Sequence, residues 1–300
     1  MNAGTLRRLV VNPLIVKDGL SLVRSWRAPV VIAVYVGLLG LFAALTFSLQ
    51  LGGGAPRPYG FAGVASNVFT TLALVQLALV CLFAPALAAG AVSGERERQT
   101  LDVLLVSCVP TFSIVWGKMV ASVAFVLLLM TSALPLFATV FLFGGIDAQQ
   151  FVVAHLITLT TALALGAVSL FLSTMLRRTL AATVVAYGLT FAVTAASWLV
   201  GTSLLSSGHI RMSQVLLYLN PIQAVLIILR GGDAIPYGLT SQAVLVLPTG
   251  PIFVSRPGVL PATLTIEPWL ATIAVELALV ALGVLGTALL LRERRGLGRG

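Results

Sequence analysis

The sequence predicts an all-α polytopic membrane protein with six transmembrane helices. Hydrophobic residues fill 59% of the 300 positions and charged residues only 9%, with a mean hydropathy of +1.07. Such a chain lacks the polar surface that a water-soluble globule needs. Several apolar runs are long enough to cross a hydrocarbon core about 30 Å thick at about 1.5 Å of helical rise per residue. The basic residues sit at the ends of those runs, where topology signals belong, rather than in one patch suited to nucleic acid.

The six runs are Pro29 to Leu51, Val68 to Val92, Ile114 to Phe143, Phe151 to Leu176, Leu180 to Leu205 and Trp269 to Leu291. The third would measure about 45 Å as a helix and contains Pro135, so a kinked helix starting outside the hydrocarbon is expected. Placing the N-terminus in the cytoplasm leaves only Arg57, Arg211, Arg230 and Arg256 of the 18 basic residues outside, as the positive-inside bias requires. Both termini are then cytoplasmic and the protein is a multi-pass component of the cell (inner) membrane, read as one domain over residues 1–300.

Charges interrupt the first 27 residues every few positions, which argues against a removable signal peptide. Residues 13–27 read instead as an amphipathic helix on the membrane surface. Lys17, Ser21, Arg24 and Ser25 share one side, and Ile15, Val16, Leu20, Leu22, Val23 and Trp26 the other.

The stretch from Ser206 to Pro268 holds two apolar segments, SQVLLYLNPIQAVLIIL and GLTSQAVLVLPTGPIFV. Both are short and proline-containing, so an extracellular or re-entrant hairpin of helices is expected. Asn220 and Pro221 should cap and open a helix ending at Gly231 and Gly232. If both segments spanned, the count would be eight.

Cys81 and Cys108 are isolated and form neither a disulfide nor a metal site on this reading. His155 and His209 are the only histidines, and no nucleophile–base pair or metal dyad marks an intramembrane enzyme. A catalytic site and a bound metal are therefore not expected. Glu276 is the one carboxylate within an expected span, about two turns from its outer end, and a charge at depth is a functional candidate by default. A role in substrate or proton handling is one reading of it, and a structural hydrogen bond or hydration is the plainer one. Gln76, with Thr70 and Thr71 nearby, either lines a path through the membrane or joins helices by hydrogen bonds. Gly37, Gly40, Gly166, Gly283 and Gly286 suit close helix approach.

Residues 93–119, SGERERQTLDVLLVSCVPTFSIVWGKM, hold the densest charge cluster between spans. Leu101, Leu104, Leu105 and Cys108 recur at helical spacing, while Glu95, Arg98, Gln99 and Asp102 fall opposite, with Arg98 and Asp102 placed for an i,i+4 pair. Ser93 would cap this short helix, Glu95 and Glu97 would sit at its positive end, and Pro110 would stop it. Such a helix either docks in a cleft of a soluble partner or is a solvated interfacial loop.

This run, from Ala86 to Ser122, resembles the signature of ABC-2 type transporter permeases, the membrane subunits of ATP-binding cassette exporters. In that family a stretch similar to SGERERGTLELLLATP leads through a short arm ending in Gly-Lys into the third span. Gly94, Glu95, Arg96, Glu97, Arg98, Thr100, Leu101, Leu104, Leu105, Pro110, Gly117 and Lys118 match in order, with Gln99 where glycine is common. Residues 12–27 resemble the family's N-terminal elbow helix, with Asp18 for the usual glutamate. Leu219 to Pro221 and the terminal LLLRERR are weaker likenesses.

The resemblance implies a coupling helix between the second and third spans, with Glu95, Arg96, Glu97, Arg98, Thr100, Leu101, Leu104 and Leu105 contacting a separate ATP-binding subunit. ATP and magnesium would bind that partner, because this chain has no GxxxxGK[ST] motif: Phe112 stands at the first glycine and Met119 follows Lys118. It further implies export by alternating access through a homo- or heterodimer of permeases. Gln76 and Glu276 are substrate-path candidates on their polarity within the spans alone. An ATP-independent carrier, channel or accessory subunit is the alternative, and inverted repeats or several intramembrane charges, which would favour it, are absent.

Overall fold

The computed structural model describes residues 26–52, 60–97, 99, 111–176, 178–207, 209, 212–213, 215–216, 220–230, 242–247, 250–255 and 268–297. Its named elements are α1 (Arg27–Gly52), α2 (Gly60–Glu97), α3 (Thr111–Leu142), α4 (Ala148–Met175), α5 (Thr179–Ser206), α6 (Pro221–Arg230), β1 (Gln242–Leu247), β2 (Gly250–Ser255) and α7 (Pro268–Leu297). Six of them, α1 to α5 and α7, are long and apolar enough to cross a membrane. The fold is that of an all-α polytopic membrane protein carrying one short β-hairpin.

The helices overrun the apolar runs because hydrophobicity stops short of the chain's helical reach. The second begins at Gly60 rather than Val68, since the small and polar stretch Gly60 to Asn67 is helical too, and it continues through Glu97. Its 38 residues correspond to about 57 Å, well beyond a hydrocarbon core. Third-helix Pro135 is accommodated within a continuous 32-residue helix.

Helix α4 is the hub, packed on α2 and α7 most extensively and also on α3, α5 and α6. Helices α1 and α5 are peripheral, and Leu180, Val184, Phe191 and Leu199 of α5 face outward. In lipid, where apolar exposure costs little, such helices are held by close packing and hydrogen bonds. One apolar cluster gathers Tyr35, Phe69, Leu72, Leu129, Phe137, Ile157 and Val225, with Phe69 and Phe137 edge to face at 5.3 Å. Another, at the end where α2 and α4 finish, joins Val92, Val115, Met119, Leu170, Val284 and Leu291. We call this the basic end, because Arg96, Lys118, Arg178 and Arg292 belong to it.

At the opposite end, the turn between α3 and α4 needs its glycines. Gly144 and Gly145 have φ of +78° and +85°, and a Cβ on Gly145 would lie 2.3 Å from the Ala62 carbonyl oxygen. The Asp147 amide donates to Gln150 Oε1, opening α4.

The stretch between α5 and α7 corrects the expected pair of helices. Asn220 and Pro221 do open a helix: the Ile222 amide donates to Asn220 Oδ1, and α6 ends at Arg230. With 10 residues, or about 15 Å, it cannot cross a bilayer. The second segment forms an antiparallel β-hairpin, with Gln242 opposite Ser255 and Leu247 opposite Gly250. Pro248 and Pro251 forbid a continuous helix there, and Val244, Val246, Ile252 and Val254 favour extended backbone. The spanning count among the described residues is therefore six, not eight. The amphipathic stretch 13–25 lies outside the described residues.

Candidate functional site

The charged cluster is built differently from its sequence reading at one end. Ser93 does not cap a new helix: it lies inside α2, its hydroxyl donating to the Ala89 carbonyl. Glu95 and Glu97 thus fall at the negative end of a long helix rather than the positive end of a short one. Hydropathy ends at Val92, but backbone hydrogen bonding does not, because neighbouring helix ends supply partners for each following side chain.

Helix α2 stops at Glu97, and Gln99 adopts the left-handed conformation with φ of +56°, its amide donating to the Arg96 carbonyl. A residue with a Cβ is disfavoured there and glycine is at ease. Glycine, common at this position in the pattern that residues 93–119 resemble, would adopt this backbone conformation without the steric cost that Gln99 bears.

Three successive side chains then bind three different helices. Glu95 accepts from the Lys118 ammonium of α3 at 2.7 Å, with the lysine only 5% exposed and the glutamate 27%. The Arg96 guanidinium donates to the Thr174 and Leu176 carbonyls, both at 3.2 Å. Those carbonyls belong to the C-terminal turn of α4, where unpaired oxygens and the helix dipole favour a cation. Glu97 accepts from the Thr179 amide at 2.7 Å and from its hydroxyl. It thereby caps the first turn of α5, where the dipole favours an anion. Just above, the Ser173 hydroxyl of α4 accepts from the Val92 and Ser93 amides and donates to the Ser93 hydroxyl.

The end of α2 is therefore tied to the start of α3, the end of α4 and the start of α5. Glu95, expected on an outward charged face, is turned into the chain because Lys118 needs a counter-charge where it is buried. Arg98, Thr100, Leu101, Leu104 and Leu105 lie outside the described residues, as do the Arg98–Asp102 pair and the short helix stopped by Pro110.

The polar residues within the spans divide. Glu276 of α7 is 6% exposed, and its two carboxyl oxygens are hydrogen-bonded to the Thr160 and Thr161 hydroxyls of α4 at 2.5 and 2.6 Å. The structural hydrogen bond expected of it is present, and it is buried between α4 and α7. Gln76 of α2, 1% exposed, has no hydrogen-bond partner at either side-chain atom among the described residues. Among the described residues it makes no hydrogen bond between helices, and Thr70 and Thr71 bond back to Ser66 and Asn67 of their own helix. Gln223 of α6 is likewise buried with both atoms unpartnered.

Two of the expected close-packing glycines serve that role. A Cβ on Gly283 would meet the Ala167 carbonyl carbon and oxygen at 2.9 Å, and one on Gly286 would meet the Phe171 ring at 2.8 Å. Open space lies beside Gly37, Gly40 and Gly166, and Gly40 borders an apolar groove of about 350 Å³ between α1, α2 and α3.

Sequence reasoning missed Ser173, Thr179 and the Lys118–Glu95 pairing. Lys118 could have been singled out as a lone cation two turns into an apolar helix, but the sequence reading used it for topology and as part of the Gly-Lys likeness, not as a partner for Glu95.

No curated protein matches the chain. The sequence profile described as ABC-2 family transporter protein matches residues 14–293, nearly the whole length. That family works with an ATP-binding subunit, and the six spanning helices and the fastened motif agree with it. The chain belongs to the ABC-2 transporter family and is an ABC transporter permease.

Proposed function

We propose that this permease exports its substrate by alternating access, driven by ATP hydrolysis on a separate nucleotide-binding subunit that seats on the residues following α2. The single observation that supports this best is the binding of three other helices by Glu95, Arg96 and Glu97, two turns into α3, at the end of α4 and at the start of α5. A force applied at Arg98, Thr100, Leu101, Leu104 or Leu105 displaces the end of α2. Because the three preceding side chains hold α3, α4 and α5, that displacement reaches all of them together.

In this reading the basic end faces the cytoplasm of the cell (inner) membrane. ATP and magnesium bind the partner, and this chain contributes no catalytic residue. A second permease, identical or paralogous, completes the assembly. Gln76, whose carboxamide is desolvated without compensation, belongs to the substrate path and gains a partner when the bundle opens. Glu276 lies on the neighbouring helix pair.

The test is ATP hydrolysis in lipid nanodiscs. The permease alone should hydrolyse no ATP above empty discs. Adding an ATP-binding chain, sought first in the adjacent reading frame, should give activity that responds to the permease and that Arg98→Glu lowers. Activity from the permease alone, or complete indifference of the ATPase to it, would count against the proposal.

A further inference from the structure

We propose that Glu276 is a proton-binding site, a neutral carboxylic acid while α7 is packed on α4, which gives its proton to water when that contact opens. This inference concerns the chain alone and does not depend on the ATP-binding partner.

Hydrogen-bond accounting distinguishes the two charge states. The Thr160 and Thr161 hydroxyls carry one proton each, and each lies within reach of two acceptors. One is the Ile157 carbonyl, at 3.0 and 2.8 Å; the other is a Glu276 oxygen, at 2.5 and 2.6 Å. If Glu276 were ionised, both protons would be drawn to it, and two neutral hydroxyls would be all that offset a full charge within the membrane. If it is neutral, its own proton goes to the Thr160 oxygen. Thr160 then donates to Ile157, and Thr161 donates to the other Glu276 oxygen. Three protons then fill three acceptors.

The surroundings supply no cation that the described side chains place beside it. Helix α4 contributes the two threonines and His155, more than a turn away, its ring edge to face with Phe137 and tilted against Phe151. Helix α2 contributes the Cys81 thiol, which carries no positive charge. The only ionisable residue of α3 is Lys118, at the basic end and paired with Glu95. Helix α6, also packed on α7, ends at Arg230, which the test includes.

Opening the contact admits water, the acid passes one proton to it, and a carboxylate remains. Closing takes the proton back. Packing of α7 on α4 therefore consumes one proton per chain, and higher pH favours separation.

The experiment uses the purified full-length chain in nanodiscs. Infrared spectra are recorded across pH, and adducts of a hydrophobic carbodiimide, which attacks protonated carboxyls, are mapped by mass spectrometry. The expected result is an acid carbonyl stretch at neutral pH that Glu276→Gln removes and Thr161→Val shifts, with an adduct at Glu276 that declines as pH rises. Glu276→Gln should keep the wild-type melting temperature, because its amide can donate to Thr160 as the acid does. Absence of both band and adduct at neutral pH would overturn the proposal. So would a band that appears only in Arg230→Gln, since Glu276 would then be an ion-paired carboxylate. If Thr161→Val does not fold, the wild-type titration and Glu276→Gln decide between these outcomes.

Discussion

Lys118 and Glu95, 23 positions apart, meet at 2.7 Å and join the start of α3 to the end of α2. The lysine is nearly enclosed and the glutamate is partly open to solvent, so the pair lies between the buried and exposed regimes. Removing one partner should cost roughly 2 kcal/mol. Lys118→Glu and Glu95→Lys should each lower the melting temperature in detergent, and the double exchange should recover most of the loss. Additive losses in the double variant would show that the two side chains do not act as a pair.

Arg96 holds two carbonyls of the last turn of α4 with two nitrogens of one planar group. Lysine has the charge but not the fork. Arg96→Lys should therefore be intermediate between wild type and Arg96→Ala in thermal stability, with the alanine variant losing about 1 to 3 kcal/mol. Equal behaviour of lysine and arginine would reduce the contact to simple charge.

Glu97 caps α5 from outside that helix. Glu97→Gln keeps an acceptor for the Thr179 amide but removes the interaction with the helix dipole, a loss of about 0.3 to 1 kcal/mol that should diminish in high salt. Thermal unfolding at two salt concentrations checks this, and a salt-independent difference would contradict it.

Gly283 and Gly286 form a closed helix contact, whereas Gly37 has open space beside it. Gly283→Ala pushes backbone against backbone and should cost about 1 to 3 kcal/mol. Gly37→Ala should change stability by less than about 0.5 kcal/mol. Monodispersity after heating, followed by size-exclusion chromatography, ranks the two, and the reverse order would refute the packing of α7 on α4 described above.

The spans were legible because lipid demands long apolar helices, and Pro29 to Leu51 and Leu180 to Leu205 were located to within about three residues of their ends. Helix ends were less legible. Hydropathy ends at Val92, yet α2 runs to Glu97, because what continues it is hydrogen bonding to Ser173, Lys118, Thr174 and Thr179 on three other helices. No local pattern reveals partners about 80 positions away. Asn220 and Pro221 were readable as a helix start because capping is local, while the β-hairpin beyond was misread because apolarity outweighed Pro248 and Pro251 in the reading. Glu276 was visible as an anomaly, but its partners Thr160 and Thr161 were indistinguishable from other threonines until α4 and α7 were paired.

The most direct test of coupling replaces Thr100 or Leu101 with a photo-crosslinking phenylalanine analogue in the cells that express the protein, followed by mass spectrometry of the adduct. A crosslink to a chain carrying a phosphate-binding GxxxxGK[ST] motif, strengthened or shifted when ATP is trapped, is the expected result. Adducts confined to lipid or to the permease itself, with the assembly otherwise intact and active, would contradict the claim that the residues after α2 receive the ATPase.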